Sequence, residues 1–150
     1  MFNIELSYYK NILSSMRRGL IKGRFSNAKP LYFLTIVEAI SRGELLENKF
    51  FYDDTLETLY LEICNLYEPG LSAAPFYKTY YHSSSEEYYK IIWKDGVNPP
   101  EQSKSPSRRY LKENVQYAYL DDKLWDLLMV PSNRAFLRES LINKFINSKD

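Results

Sequence analysis

The sequence predicts a mainly helical α+β fold: a winged-helix-like core, an antiparallel β-hairpin wing and C-terminal helices. Three stretches carry that expectation. Asn27–Phe50 opens with a capped, almost wholly apolar helix and leaves room for a short strand behind it. Asp54–Tyr67 repeats apolar residues at helical spacing. Ala74–Gly96 is dense in tyrosine and reads as a long aromatic hairpin. None of them offers much for covalent chemistry, which points to a binding module rather than an enzyme.

Composition sets the frame. The 150 residues fit one domain, on the usual span of roughly 100–200 residues. With 45% apolar and 26% charged residues, the chain can build a core and is not disordered. The longest apolar run, Leu31–Ile40, is interrupted by Thr35 and Glu38, and a membrane span needs about 20 apolar residues. The opening MFNIELSYYK lacks the basic-then-apolar order of a secretory signal. A single cysteine, Cys64, excludes an internal disulfide and a Cys-based zinc site, so the cytoplasm is the expected setting.

The expected organisation is one domain over 1–150: an N-terminal helix and basic connector over 1–23, a helical core with the wing over 24–97, a loop over 98–107 and C-terminal helices over 108–150. Ile4, Tyr8, Ile12 and Ser15 lie on one helical stripe, extended by Tyr9, Leu13 and Met16, and the helix should end near Gly19. RRGLIKGRFSNAK, residues 17–29, carries two glycines and no acid and reads as a basic connector. Ser26 or Asn27 should cap the next helix, with Pro30 in its first turn, where a missing N–H costs nothing. Leu31, Phe33, Leu34, Ile36, Val37 and Ile40 leave it little polar face, so it belongs at the centre of the core; Gly43 stops it. Asp54 and Glu57 have capping-box spacing ahead of Leu56, Leu59, Tyr60, Ile63, Leu66 and Tyr67. Strands near Phe76–His82 and Glu87–Lys94, turning at Ser83–Glu86, would form the wing. One face of its second strand carries Tyr88, Lys90, Ile92 and Lys94, a pattern that suits base stacking and phosphates, or simply an exposed sheet edge. NPPEQSKSPS, residues 98–107, reads as a loop. Val115–Leu120 reads as a short strand, Asp121 and Asp122 as the cap of a helix burying Leu124, Trp125, Leu127 and Leu128, and Pro131 as the start of a last helix carrying Phe136, Leu137, Leu141 and Phe145.

Net charge is +1, unevenly spread. Residues 1–36 hold six bases and one acid, residues 37–72 eight acids and two bases, and residues 73–112 seven bases and four acids. Two basic segments sharing a face would suit a polyanion; a mixed solvated surface is the plainer alternative.

Catalytic patterns are missing. His82 is the only histidine, which excludes a two-histidine metal site and leaves a Ser-His-Asp or Cys-His arrangement without a nucleophile elbow. No glycine-rich phosphate loop occurs. The acid pairs Asp53/Asp54, Glu86/Glu87 and Asp121/Asp122 fall at caps and turns. Glu47-Asn48-Lys49 only faintly echoes a nuclease motif. No catalytic residue, cofactor or metal is expected, and the chain should not be an enzyme.

Ala28-Lys29-Pro30-Leu31-Tyr32-Phe33-Leu34, Gly43-Glu44-Leu45, Glu47-Asn48, Pro75-Phe76-Tyr77 and Trp93-Lys94, followed by Tyr117-Ala118-Tyr119-Leu120-Asp121, Leu124-Trp125-Leu127-Leu128 and Pro131-Ser132-Asn133-Arg134 with Leu137, resemble the N-terminal domain of a group of bacterial HNH restriction endonucleases. The likeness covers about residues 24–146. That domain is similar to the sulfur-binding domain of type IV enzymes that recognise phosphorothioate-modified DNA. The resemblance implies a shallow apolar pocket for the backbone sulfur at Ala74-Pro75-Phe76 and a phosphate contact at Lys29. Two departures are plain: the histidines of the HNH half are missing, and Ala28 stands where many members carry histidine. The resemblance therefore implies recognition without cleavage, with a separate nuclease subunit as a natural partner. The expected DNA surface joins Arg24, Asn27 and Lys29 to Pro75, Phe76, Tyr77 and Lys78, with Arg108 and Arg109 beyond the loop. The alternative is a protein-interaction or regulatory subunit that uses the Tyr-rich wing without binding nucleic acid.

Overall fold

A computed structural model describes residues 3–71, 74–101 and 105–147. It is mostly helical, with two small antiparallel strand pairs. Helix α1 (Ile4–Ser14) is capped by Asn3, whose Oδ1 accepts from the N–H of Leu6. It ends sooner than the expected Gly19, and its buried stripe is Tyr9, Leu13 and Met16; Ile4 and Tyr8 face solvent.

The connector, whose sequence shows no strand signal, makes a hairpin. Strands β1 (Leu20–Ile21) and β2 (Arg24–Phe25) pair across Lys22-Gly23. Both turn residues have positive φ, 51° and 79°, as a two-residue hairpin turn of type I′ demands. Glycine supplies one such position freely, while Lys22 bears the strain of the other.

Helix α2 (Ala28–Ser41) is central, as its composition predicts: along most of its length it is buried on every face. Helix α3 (Asp54–Tyr67) packs beside it, buried through Leu56, Leu59, Tyr60 and Ile63. Its cap is Asp53, one residue before the expected Asp54, with Oδ1 accepting from Thr55 and Leu56. Leu66, expected in the core, is exposed.

The β-hairpin wing expected over Phe76–Lys94 is absent. Phe76–His82 is helix α4, continued by a 3₁₀ turn at Ser83–Ser85. Phe76, Thr79, Tyr80 and Ser83 form one buried helical stripe, and burying those rings outweighs their strand propensity. The two hydroxyls of the stripe are satisfied locally: Thr79 donates to the carbonyl of Pro75 and Ser83 to that of Thr79. Strand β3 (Tyr89–Trp93) pairs instead with β4 (Val115–Leu120), across helix α5 (Arg108–Asn114), in the register Tyr89 to Leu120 and Ile92 to Tyr117. The strand considered behind α2 is reduced to one bridge, Phe50 to Ala118. Helices α6 (Asp122–Leu128) and α7 (Pro131–Leu141) follow as expected, α7 running into a π-helical turn at Ile142–Ile146; Phe136 is more exposed than its spacing suggested.

Buried side chains from α1 to Phe145 make one cluster with an aromatic centre. The Tyr32 ring lies 5.8 Å from Phe76, 5.7 Å from Tyr89 and 6.5 Å from Tyr60, mostly edge to face. Most of the buried hydroxyls have partners: Tyr32 pairs with Tyr89 at 3.0 Å, Tyr80 donates to the carbonyl of Phe50 at 2.7 Å, and Tyr60 donates to that of Ala74 at 2.8 Å, whereas the buried hydroxyl of Tyr52 has none among the described residues. Burial holds Tyr32, Tyr80 and Tyr89 well above the usual phenol range, so they stay neutral donors.

Leu34→Ala and Leu59→Ala should each cost roughly 2–5 kcal/mol in chemical denaturation, the range for truncating a core leucine, whereas Leu66→Ala should stay within about 0.5 kcal/mol. Losses below about 1 kcal/mol at both core positions would mean that the α2–α3 contact is not the core.

Candidate nucleic-acid interface

The hairpin and the N-terminus of α2 enclose a cleft of about 260 Å³. Ile21, Phe25, Ala28, Leu31 and Leu71 form its apolar wall; Lys22, Arg24 and Glu68 supply its charge. Leu20, Ile21 and Phe25 are exposed apolar residues on one short hairpin, and exposed Leu71 joins Ile21 and Phe25 at the cleft.

Behind the cleft a polar knot fixes the hairpin. Asn27 sits at the N-cap of α2, yet its side chain does not cap the helix. Its Nδ2 donates to Glu68 at 2.7 Å and to the carbonyl of Phe145 at 3.1 Å, and its Oδ1 accepts from Arg18 at 3.0 Å. Ser26 makes the local contact instead, accepting from the N–H of Ala28. The Arg18 guanidinium lies between two rings, 4.8 Å from the centroids of Phe25 and Phe145. Arg18 thus holds the hairpin against the end of the chain, and nothing in its spacing announced that role.

Lys29 is also engaged. Its Nζ meets Glu86 at 2.9 Å and Ser85 at 2.8 Å, and the pair is largely buried, with side chains 15% and 9% exposed. Glu86 further accepts from the backbone N–H of Arg17. One carboxylate therefore ties the connector, α2 and the end of α4 together, and the charge of Lys29 is spent inside the fold.

The remaining expected residues divide. Arg24 is exposed on the hairpin, and Lys78 is exposed on α4. Pro75, at the N-cap of α4, is exposed; Tyr77 is half-buried. Phe76 is only 2% exposed, packed among Tyr32, Tyr52, Tyr60 and Tyr80, so it cannot wall a surface pocket. The apolar surface adjoining basic groups is the Ile21–Phe25–Leu71 cleft instead. Arg108 pairs with Glu57, and Arg109 extends into solvent beside Glu113 on the other side of the loop. Asn27 and Arg24 are brought together; Arg108 and Arg109 belong to a separate patch.

The expected aromatic and lysine face is rearranged as well. Tyr88 is buried, whereas Lys90 and Ile92 lie opposite Tyr119 and Tyr117, with Lys49 5.3 Å from the Tyr117 ring. Carboxylates of Glu47 and Asp122 line the same hollow, which offsets the lysines. Asn48, in the faint nuclease motif, is structural: its amide exchanges two hydrogen bonds with the backbone of Leu120.

Burial pushes the Cys64 thiol up to about 11, which makes it a poor nucleophile. Among the described residues no three His, Cys, Asp or Glu side chains gather as a metal would require, and no helix is long and apolar enough to cross a membrane. No family model matches the chain and no curated protein matches it, so function rests on the chemistry of the surface itself.

Because the Lys29–Glu86 pair is shielded, Lys29→Ala should destabilise the protein by up to about 3 kcal/mol, as an almost buried carboxylate is left alone. The double variant with Glu86→Ala should recover most of that loss in urea denaturation. Single and double variants all within about 0.5 kcal/mol of the parent would show a pair of the exposed, weak kind.

Proposed function

We propose that the chain is a DNA-recognition module of a bacterial restriction or defence system, in keeping with its likeness to the recognition domain of HNH restriction endonucleases. The observation that carries this reading is the basic hairpin with an apolar cleft at its base. Lys22 and Arg24 stand at the hairpin turn, exposed and on a short rigid element, suited to phosphate oxygens. The hairpin takes over the part of a wing beside helix α2. Glu68 lies in the cleft as well, but its carboxylate is hydrogen-bonded to Asn27.

A phosphorothioate fits the cleft chemically. Sulfur is larger and more weakly hydrated than oxygen, so Ile21, Phe25 and Leu71 can receive it at little cost, whereas a phosphate oxygen there would lose hydration without a compensating bond. Charge at the rim would supply affinity, and the apolar wall would supply preference. Cleavage would be supplied from outside this surface, for instance by a nuclease subunit, since none of the residues there offers a hydrolytic centre.

The second reading, a protein-interaction subunit, draws on the same exposed Leu20, Ile21 and Phe25. It no longer rests on the Tyr-rich segment, whose Tyr80, Tyr81, Tyr88 and Tyr89 are core residues.

Fluorescence anisotropy of labelled plain and phosphorothioate duplexes across a salt series separates the two. Lys22→Ala and Arg24→Ala should each weaken binding and reduce the salt slope by about one ion. Ile21→Ala should leave that slope unchanged and lower the preference for the modified duplex. Absence of binding to either duplex at low salt defeats the nucleic-acid reading and favours the protein partner. Purified protein with magnesium should not nick either duplex; nicking that survives further purification would place a catalytic site on the chain.

A further inference from the structure

We propose that Lys78, His82 and Ser105 form a second oxyanion site, one that takes a phosphate diester of the same nucleic-acid backbone; the proposal rests on the DNA-binding reading. His82 Nε2 and Ser105 Oγ lie 2.6 Å apart, across the gap between α4 and the segment before α5. Lys78 stands one helical turn before His82 on α4 and is exposed. A continuous chain of contacts leads from here to the hairpin cleft: Ser85 Oγ donates to the carbonyl of His82, Lys29 donates to Ser85, and Lys29 adjoins Ala28 in the cleft wall. Both sites therefore connect to the first turn of α2, the cleft through Ala28 and the His82 site through Lys29 and Ser85.

The groups facing His82 come from every neighbouring element. Lys78 and the Tyr81 ring belong to its own helix, Ser105 to the segment before α5, and Lys29 to α2; Glu86, the nearest acid in this chain of contacts, is bonded to Lys29. Among the described residues no carboxylate bonds His82. Burial holds the imidazole below its ordinary range, and the charges of Lys29 and Lys78 add to the effect. The free protein near neutral pH thus has a neutral imidazole whose hydrogen bond is spent on a serine hydroxyl. A phosphate oxygen that displaces the His82–Ser105 bond can accept from both Nε2 and Oγ, with the exposed Lys78 ammonium one helical turn away. Its charge favours the imidazolium, so binding takes up a proton. The sign follows: affinity rises as pH falls through the bound-state pKa and levels off below the free-state pKa.

As His82 is the only histidine, its imidazole proton signal in NMR is unambiguous. Its pKa is measured alone, with inorganic phosphate, and with a short plain duplex, all at one ionic strength set with sodium chloride, so that simple screening of the lysines is held constant. Duplex should raise the pKa by roughly half a unit to one unit; phosphate should raise it in the same direction. Lys78→Ala should raise the pKa of the free protein and shrink the rise caused by either anion. A rise with duplex alone also supports the proposal, since the diester is then held by the rest of the interface. A rise with phosphate but none with duplex overturns the nucleic-acid assignment and leaves a free-anion site. An unchanged pKa although duplex binds, as scored by anisotropy, overturns the site and spares the DNA reading. No binding of duplex and no shift with either anion removes both.

Discussion

Helix α2 has almost no polar face, and the rest of the molecule is arranged to cover it. Burying a helix on all sides requires packing partners in every direction, which α3, α4, α7 and the aromatic side of β3 supply. The tyrosines that do so bring hydroxyl groups into the core, and each of Tyr32, Tyr60 and Tyr80 has a partner there. An unpaired hydroxyl would cost about 1–3 kcal/mol, so these bonds select one arrangement of rings more than they add net stability. The mid-section of α2 is thereby closed to any ligand, and its N-terminus is where hairpin, cleft and basic groups meet.

Charge at that end is sorted by the fold. Glu86 takes Lys29 and the Arg17 backbone; Glu68, through Asn27, is joined to Arg18. These bonds consume two cations to hold the hairpin and the end of α4 against α2. Lys22, Arg24 and Lys78 remain in solvent around them. A cation that builds the surface and a cation that serves it are chemically alike, and burial of the partner distinguishes them: truncating Lys29 disturbs folding, whereas truncating Arg24 leaves the core untouched.

Much of the fold was legible from periodicity. The helices at Ala28–Ser41, Asp54–Tyr67 and Pro131–Leu141 and the strand at Val115–Leu120 follow from apolar spacing, Pro30, Gly43 and Pro131. The Phe76–His82 segment misled because its Phe, Tyr and Thr residues are good strand formers, while the 76, 79, 80, 83 stripe that decides the matter includes Thr79 and Ser83, whose burial depends on back-bonding to the helix. The Lys22-Gly23 turn was missed because lysine is a poor sign of positive φ. Of the expected site, Arg24 and Asn27 both line the cleft, being close in sequence, while Lys29 is turned away to Glu86. The burial of Phe76 and the pairing of Lys29 with Glu86, 57 residues away in sequence, arise from tertiary contacts that no local pattern encodes.

The proposed DNA contact lies on the face around the N-terminus of α2. Mapping backbone amide shifts by NMR, with and without duplex, tests it directly. Perturbations are expected at Leu20–Phe25, around Ala28, at Leu71 and from Lys78 to Ser85, with Tyr117, Tyr119 and Lys90 on the outer sheet face unmoved. Perturbations centred on Tyr117 and Tyr119, or on Arg108 and Arg109, with the hairpin unaffected, would contradict it.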